Sequence, residues 1–171
     1  MSAATTGERG GASAGVGVAI RKHLGLSHPD AEEDPSISSR FTLKKLGAIC
    51  RGGVHVGSIY LHDVVGPSAT KNTDIPEQVA CILKGLAGSW IIGGDWNCSP
   101  DELRATGWLT LIGAEIQAPK DSTCHGKVYD FFVVKRDLCG AIFSVKTVAD
   151  DIFYPHSPVR LLLRAASRAM S

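Results

Sequence analysis

The chain has 171 residues, of which 44% are hydrophobic and 20% are charged. These values are ordinary for a globular protein, exclude a collagen-like, coiled-coil or largely disordered chain, and predict one domain with a real core. Eighteen basic against seventeen acidic residues leave a net charge of +1, which excludes a global positive field as a sign of a nucleic-acid partner.

The first part of the chain predicts little regular structure. Residues 1–15 are nearly all small or polar, so we expect a disordered lead-in ahead of one domain over residues 16–171. The lead-in lacks the apolar stretch of a secretion signal. The following segment, VGVAIRKHLGL, opens with a short β-prone run, and SHPDAEEDPSISS is typical of a solvated loop.

Several later runs are typical of strands. FTLKKLGAIC and VHVGSIYLH flank a glycine turn and predict an antiparallel hairpin, and SWIIGG predicts a short buried strand. Four more strand-length runs are WLTLIGA, KVYDFFVVK, AIFSVKTV and PVRLLLR. Many strands with two or three helices indicate a mixed, largely antiparallel α+β sandwich, not a strictly alternating βαβ fold.

Two helices are predicted between these strands. The first begins with Asp74 as its cap and Glu77 as capping-box partner, and its apolar positions follow at helical spacing: Val79, Ile82, Leu83 and Leu86. The second begins with Ser99 as cap, has Pro100 in its first turn and Glu102 in a capping box, and ends near Thr106.

The stretch WIIGGDWNCSP carries the strongest chemical signal. Asp95 and Asn97 are two residues apart, so in an extended segment both side chains face one cleft. A carboxylate can orient or deprotonate a water, and an amide can donate to a phosphate oxygen. Gly93 and Gly94 would let the backbone bend sharply there. From this segment alone, an ordinary Asp/Asn turn after a strand is equally compatible.

The segment GGDWNCSPDEL resembles the G-D-F/W-N signature of the endonuclease/exonuclease/phosphatase family, which includes DNase I-like nucleases, abasic-site endonucleases, retrotransposon endonucleases and inositol phosphatases. Three further segments resemble family motifs in the same order over residues 15–164: SIYLHD, STCHGKVYDFFVVKRDL and YPHSPVRLLL. The resemblance implies an α+β fold of two packed, mixed, largely antiparallel sheets flanked by helices, a four-layer DNase I-like sandwich.

The resemblance also implies a metal-assisted phosphodiester hydrolase. In that family's terms Asp95 would prepare the attacking water, and Asn97 and Tyr60 would contact the scissile phosphate. Asp130 would orient His156, whose imidazole would stabilise charge on the phosphate. Without the resemblance, Tyr60 is better explained by cross-strand packing and His156 by a surface loop. Asp130 lies in an apolar run, so burial demands a partner for its carboxylate.

Two departures from the family pattern concern the metal. The resemblance implies Mg²⁺ or Mn²⁺ as cofactor, but no glutamate corresponds to the family's metal ligand, and Pro155 stands where the family has an acid before the histidine. The metal-binding residues are therefore unknown at this point. We expect an N-terminally incomplete or degenerate member of the family whose activity is impaired, because the ion supplies much of the charge stabilisation.

The preferred interpretation is an endonuclease acting on nucleic acid, of the retrotransposon type. A phosphoinositide-type phosphatase acting on a small phosphate ester, and a catalytically inactive remnant that binds nucleic acid or protein, remain alternatives. Five scattered cysteines without a C-x-x-C pair argue against a disulfide framework. No apolar run has the roughly 18 residues of a membrane helix, and no secretion signal is visible, so we expect an intracellular protein without a membrane partner.

Overall fold

A six-stranded mixed β-sheet forms the centre of the computed structural model, which describes residues 5–6, 12–13, 15–29, 39–47, 52–63, 65–149 and 152–164. The strands are β1 Thr5–Thr6, β2 Ala12–Ser13, β3 Leu26–Ser27, β4 Phe41–Leu46, β5 Val54–Tyr60, β6 Ser89–Asp95, β7 Ala114–Gln117, β8 Asp130–Lys135, β9 Ile142–Thr147 and β10 Val159–Leu163. The α-helices are α1 Thr70–Gly85, α2 Pro100–Ala105 and α3 Trp108–Ile112, and short 3-10 turns cover Lys22–Leu24 and Arg136–Ala141.

The strand order in the central sheet is β3-β4-β5-β6-β8-β7. Every neighbouring pair is antiparallel except β5 and β6, which are parallel and are joined through α1. Strands β9 and β10 form a separate antiparallel pair, and β1 pairs with β2. The predicted hairpin is confirmed as β4 and β5, and the predicted mixed, largely antiparallel α+β architecture is confirmed as well.

The two faces of the central sheet pack against different layers. Alternate residues on one face, such as Leu43, Ile59 and Ile92, join the side chains of the three α-helices in the larger apolar cluster. The residues between them, such as Val54 and Ile91, face the β9–β10 pair in a smaller cluster. Two packed sheets with helices on the outside are confirmed, and the described residues supply three of the four expected layers.

Two predicted strands were wrong. The run VGVAI, residues 16–20, has no regular secondary structure and leads into the turn at Lys22–Leu24. The run WLTLI is helix α3, bracketed by Gly107 and Gly113 in the left-handed conformation. Trp108, Leu109 and Ile112 are buried together, because their spacing places them on one helical face. A short apolar run fits either a strand or a buried helix, so the strand length of this run was not sufficient to predict a strand.

Helix α1 begins earlier than predicted. Its cap position is Ala69, without a side-chain cap, so the predicted capping box at Asp74 and Glu77 does not form, and Pro76 lies inside the helix. The buried Asn72 explains the extra helical turn at the start of α1. Its side-chain amide forms hydrogen bonds with the backbone of His62 and Gly66 and so fixes the preceding loop. The start of α2 is confirmed, with Ser99 and Glu102 forming the full capping box.

The predicted lead-in, residues 1–15, lies mostly outside the described residues. Its described part contains β1 and β2, which form a two-residue antiparallel pair. The described part of the chain contains no helix of the length and apolar character needed to cross a bilayer.

Candidate functional site

Three predicted site residues lie in one row across three neighbouring strands. Tyr60 at the end of β5 is the register partner of Asp95 at the end of β6, and Asp95 is the register partner of Asp130 at the start of β8. Register partners on adjacent strands direct their side chains to the same face of a sheet. The row explains how residues far apart in sequence reach one edge of the central sheet.

His156 completes the cluster from outside the sheet. Its Nδ1 lies 2.9 Å from Asp130 Oδ2, and its Nε2 lies 4.0 Å from Asp95 Oδ2. The first distance is a hydrogen bond and the second is too long for one. The imidazole is about one-third exposed, whereas the Asp95 side chain is 15% exposed. The structure thus brings Asp95, Asp130 and His156 together, with Asp130 fixing the orientation of the ring.

Thr123 positions the segment around Asp130, and sequence reasoning gave it no role of its own. Its side chain is 1% exposed, and its Oγ1 accepts hydrogen bonds from the backbone N–H groups of Tyr129 and Asp130 at 2.9 and 3.0 Å. Its carbonyl accepts the N–H of Ser157 at 2.7 Å. Thr123 therefore connects the aspartate to the chain that carries His156. The threonine in the segment STCHGKVYDFFVVKRDL was the available sequence signal, and its burial appears only in the structure.

Asn97 does not have the extended backbone that its spacing from Asp95 predicted. Its φ is 46°, in the left-handed region that asparagine tolerates better than most residues. Its backbone N–H donates to Asp95 Oδ1 at 3.0 Å, and its Nδ2 donates to the Leu61 carbonyl at 2.8 Å. The prediction from extended spacing was wrong, because the chain turns immediately after β6. Asn97 therefore connects Asp95, through its backbone N–H, to the residue that follows β5, Leu61, through its side-chain amide.

The two glycines before Asp95 serve close packing, not a sharp bend. Both lie inside β6. A Cβ on Gly94 would lie 1.9 Å from the Ile59 carbonyl oxygen, and a Cβ on Gly93 would lie 2.7 Å from the Phe132 ring. The predicted bend is corrected accordingly: these glycines let neighbouring groups approach β6 directly ahead of the site.

Trp96, between the acid and the amide, belongs to the core. Its indole is fully buried, stacks on Phe131 with centroids 5.4 Å apart, and lies 5.8 Å from Trp108. Its Nε1 donates to the Phe131 carbonyl at 3.0 Å. The indole therefore anchors the end of β6 to β8 and leaves its neighbours to serve the site.

The cationic side chain of Arg40 contacts Tyr60, and the family motifs gave no indication of this contact. The Arg40 guanidinium carbon lies 5.1 Å from the centre of the Tyr60 ring, and Arg40 Nη1 donates to the Tyr60 carbonyl at 3.4 Å. Arg40 is only 9% exposed, and burial lowers the pKa of its guanidinium, opposed by the charges of Tyr60 and Asp63. Tyr60 is thus held by a cation–π contact at the rim of the site.

Burial raises the pKa of Asp95 above the ordinary 3.8. The hydrogen bond from Asn97 lowers it in part, the nearby Asp130 carboxylate raises it further, and His156 opposes that rise. Desolvation disfavours the charged carboxylate, and a second carboxylate beside it does the same. Asp95 is therefore a stronger proton acceptor than an exposed aspartate.

The same cluster has the donor set of a divalent-metal site. One donor atom from each of Asp95, Asp130 and His156 lies within 4.8 Å of the other two. Carboxylate oxygens suit Mg²⁺ and Mn²⁺, and the imidazole is accepted by several transition metals. The two carboxylates therefore fit a divalent cation on donor chemistry. Sequence reasoning gave these acids other roles and named no metal ligand.

The strand order and the helix layer define the DNase I-like fold, and solved structures of that fold superpose on this chain. The endonuclease domain of TRAS1, a telomere-specific non-LTR retrotransposon, matches 95% of this chain and 77% of its own at a TM-score of 0.73 and 14% identity. The 3′-5′ exonuclease NExo from Neisseria meningitidis matches 82% of this chain and 70% of its own, at a TM-score of 0.54 and 16% identity.

The AP endonuclease LMAP from Leishmania major matches 83% of this chain and 61% of its own at a TM-score of 0.57 and 10% identity. No protein-family model and no curated protein matches the sequence. At these identities the similarity establishes the fold, and the chemistry has to be argued from the residues.

Proposed function

We propose that this chain is a metal-assisted phosphodiester hydrolase, an endonuclease that acts on nucleic acid. The observation that carries the proposal is the convergence of Asp95, Asp130 and His156 within 4.8 Å at one edge of the central sheet. A carboxylate that accepts a proton, beside an imidazole held by a second carboxylate, is the combination that phosphodiester hydrolysis uses. The similar solved structures described above are of nucleases, which supports the same class.

In this proposal Asp95 orients and deprotonates the attacking water. One of its oxygens is committed to the Asn97 N–H, and the other lies 4.0 Å from His156 Nε2. That spacing leaves both groups available to substrate, because no direct hydrogen bond joins them. Asp130 accepts from the Nδ1–H, so donation to the phosphate oxygen falls to Nε2, which carries its proton in the doubly protonated imidazolium form of the ring.

Asn97 and Tyr60 complete the proposed phosphate contacts. The Asn97 amide has two donor hydrogens, of which one is used by the Leu61 carbonyl, so the other remains for a phosphate oxygen. Tyr60 is the register partner of Asp95, and its hydroxyl is the other proposed phosphate donor. Asp95 and Asp130 are the residues that would hold Mg²⁺ or Mn²⁺, which would supply stabilisation of negative charge on the phosphate.

A retrotransposon-type endonuclease is the proposed subclass. Its support is the coverage of the TRAS1 endonuclease domain, which matches 95% of this chain. The metal site is expected to be weak, because both candidate carboxylates also serve the water and the imidazole. An impaired enzyme and an inactive nucleic-acid-binding remnant thus differ in a measurable quantity, the cleavage rate.

Nicking of supercoiled plasmid, with Mg²⁺, with Mn²⁺ and with EDTA, tests the proposal. We expect conversion to open circles that requires the metal and falls by about 100-fold or more in Asp95→Ala and His156→Ala, as expected for loss of a general base or a charge-stabilising donor.

Asp137→Asn is the matched control. Asp137 follows the opposite end of β8, and its half-exposed side chain pairs with Lys135 at 3.7 Å. This variant should nick plasmid at the wild-type rate. Equal nicking rates in wild type and Asp95→Ala would contradict the proposal that this chain is an enzyme. Nicking that persists in EDTA would contradict the proposed role of the metal.

A further inference from the structure

Two exposed aromatic side chains lie next to the candidate site. Phe153 and Tyr154 are 57% and 83% exposed, whereas the site-adjacent aromatics Trp96 and Phe131 are buried. We propose that residues 152–154, here called the aromatic turn, stack an unpaired base of a nucleic-acid substrate beside the phosphate bound at His156. The inference rests on the proposed function and names its substrate class, a single strand or a duplex with an unpaired base.

The aromatic turn is attached to the site by short backbone contacts. The His156 N–H donates to the Phe153 carbonyl at 2.8 Å, and the Ser157 N–H donates to the Thr123 carbonyl at 2.7 Å. Two peptide units separate Tyr154 from His156, so their Cα atoms lie at most about 7.6 Å apart. A group stacked on the turn therefore lies within about one nucleotide of the phosphate that His156 meets.

The chemistry of the turn selects bases over phosphates. Residues 152–155 contain no lysine, arginine or histidine, so the aromatic turn itself offers no positive side chain to the phosphate backbone, and the nearest group that meets a phosphate is His156. Aromatic rings bind single strands by stacking, which tolerates every base because every base has a π-face. In a paired duplex those faces are covered by neighbouring bases. Rings at this position therefore favour substrate whose bases are unstacked.

Membrane insertion is the other use of an exposed apolar turn. Interfacial binding needs a larger apolar surface together with basic residues that attract anionic lipid. The aromatic turn comprises three residues and contains no lysine or arginine, and none lies among the five residues that follow it. A nucleic-acid base, which requires a ring and no charge, fits these residues better.

Binding of a fluorescein-labelled single-stranded oligonucleotide, measured by anisotropy in EDTA, tests the proposal without catalysis. Loss of a base–aromatic stack predicts affinity about 5- to 100-fold weaker in the double variant Phe153→Ala with Tyr154→Ala. The double variant Phe153→Leu with Tyr154→Leu retains apolar surface without a ring and should bind as weakly as the double Ala variant. The double variant Phe153→Trp with Tyr154→Trp should bind with wild-type affinity. A blunt duplex of the same sequence should bind all variants alike.

Phe143→Ala is the matched control, because Phe143 is 64% exposed but lies at the end of β9 remote from the aromatic turn. It should bind the single strand as wild type. Wild-type affinity in the double Ala variant overturns the proposal. Recovery of single-strand binding in the Leu variant also overturns it, as does wild-type binding to phosphatidylcholine–phosphatidylserine vesicles that the Ala variant loses.

The plasmid assay distinguishes this failure from failure of the proposed function. If wild type nicks plasmid and the double Ala variant binds single strands normally, the stacking role fails and the endonuclease stands. If no protein nicks plasmid but the Ala variant loses single-strand binding, the stacking role stands and the hydrolase fails.

Discussion

Asp130 Oδ2 and His156 Nδ1 lie 2.9 Å apart although 26 residues separate them in the chain. Asp130 is the first residue of β8, and His156 follows a turn that leads into β10. The two segments meet through Thr123, whose hydroxyl accepts from the Asp130 N–H and whose carbonyl accepts from Ser157. The carboxylate–imidazole pair therefore depends on a buried threonine that touches neither functional group.

Replacing Thr123 by valine should impair the site without touching it. The methyl that replaces Oγ1 leaves the N–H groups of Tyr129 and Asp130 without their acceptor, which costs about 1–3 kcal/mol for a buried donor. We expect a lower thermal midpoint and a plasmid-nicking rate reduced by about tenfold or more through displacement of Asp130. Thr123→Ser keeps the oxygen and should recover the rate. If the valine variant nicks at the wild-type rate, Thr123 has no positioning role.

Replacing Gly94 by alanine should destabilise the fold strongly. The new Cβ would lie 1.9 Å from the Ile59 carbonyl oxygen, a contact that requires β5 and β6 to separate. Overpacking of this kind costs about 1–3 kcal/mol or more, and a backbone contact cannot rotate away. Urea unfolding followed by tryptophan fluorescence measures the loss, since all three tryptophans are buried.

Gly85→Ala is the control for that experiment. Gly85 ends α1, and no atom lies within 4 Å of a Cβ built there. Alanine at this position should stabilise the protein by about 0.5–1 kcal/mol, because glycine is the poorer helix former. Equal effects of the two substitutions would contradict the close approach of β5 and β6.

The stability of the fold should depend on pH through Asp95. Burial raises the pKa of its carboxyl above 3.8, so the ionised form is disfavoured in the folded state. For an acid with a raised pKa, the stabilising contribution is complete below the unfolded pKa and is lost as pH rises through the folded one. Asp95→Asn stays neutral, so it should be more stable than wild type at neutral pH.

The stability difference between Asp95→Asn and wild type should shrink as the pH falls towards 3.8. Urea unfolding of both proteins across that range measures it, and Asp137→Asn reports the effect of removing an exposed charge elsewhere. A difference that stays constant with pH would mean that Asp95 is not desolvated by the fold.

Local signals in the sequence were sufficient for much of the fold. The capping box at Ser99 and Glu102 depends on two residues three apart, and it forms as predicted. The hairpin of β4 and β5 depends on β-prone runs around a glycine turn, and it also forms. Such features are encoded within a few residues, and they form where the tertiary contacts agree with them, whereas the equally local capping box at Asp74 and Glu77 does not form.

Features decided by tertiary contacts could not be predicted. Spacing placed Asn97 in an extended segment, but its bond to the Leu61 carbonyl holds it in a left-handed turn. The early start of α1 depends on Asn72, which bonds a loop about ten residues upstream. The motifs indicated which residues converge, whereas the contacts of Thr123 and Arg40 are visible only once the strands are paired.

The thiol of Cys98 should be the slowest to react among the cysteines described. It is 2% exposed beside the Asn97 turn, and burial raises its pKa to about 12, helped by the charges of Glu102 and Asp95. The thiolate is the reactive form, so almost none is present at mildly alkaline pH. Cys81, exposed on α1, should be modified by iodoacetamide at once, and peptide mapping by mass spectrometry distinguishes the two. In urea both should react alike, and rapid labelling of Cys98 in the native protein would contradict the burial of Cys98 in the larger apolar cluster.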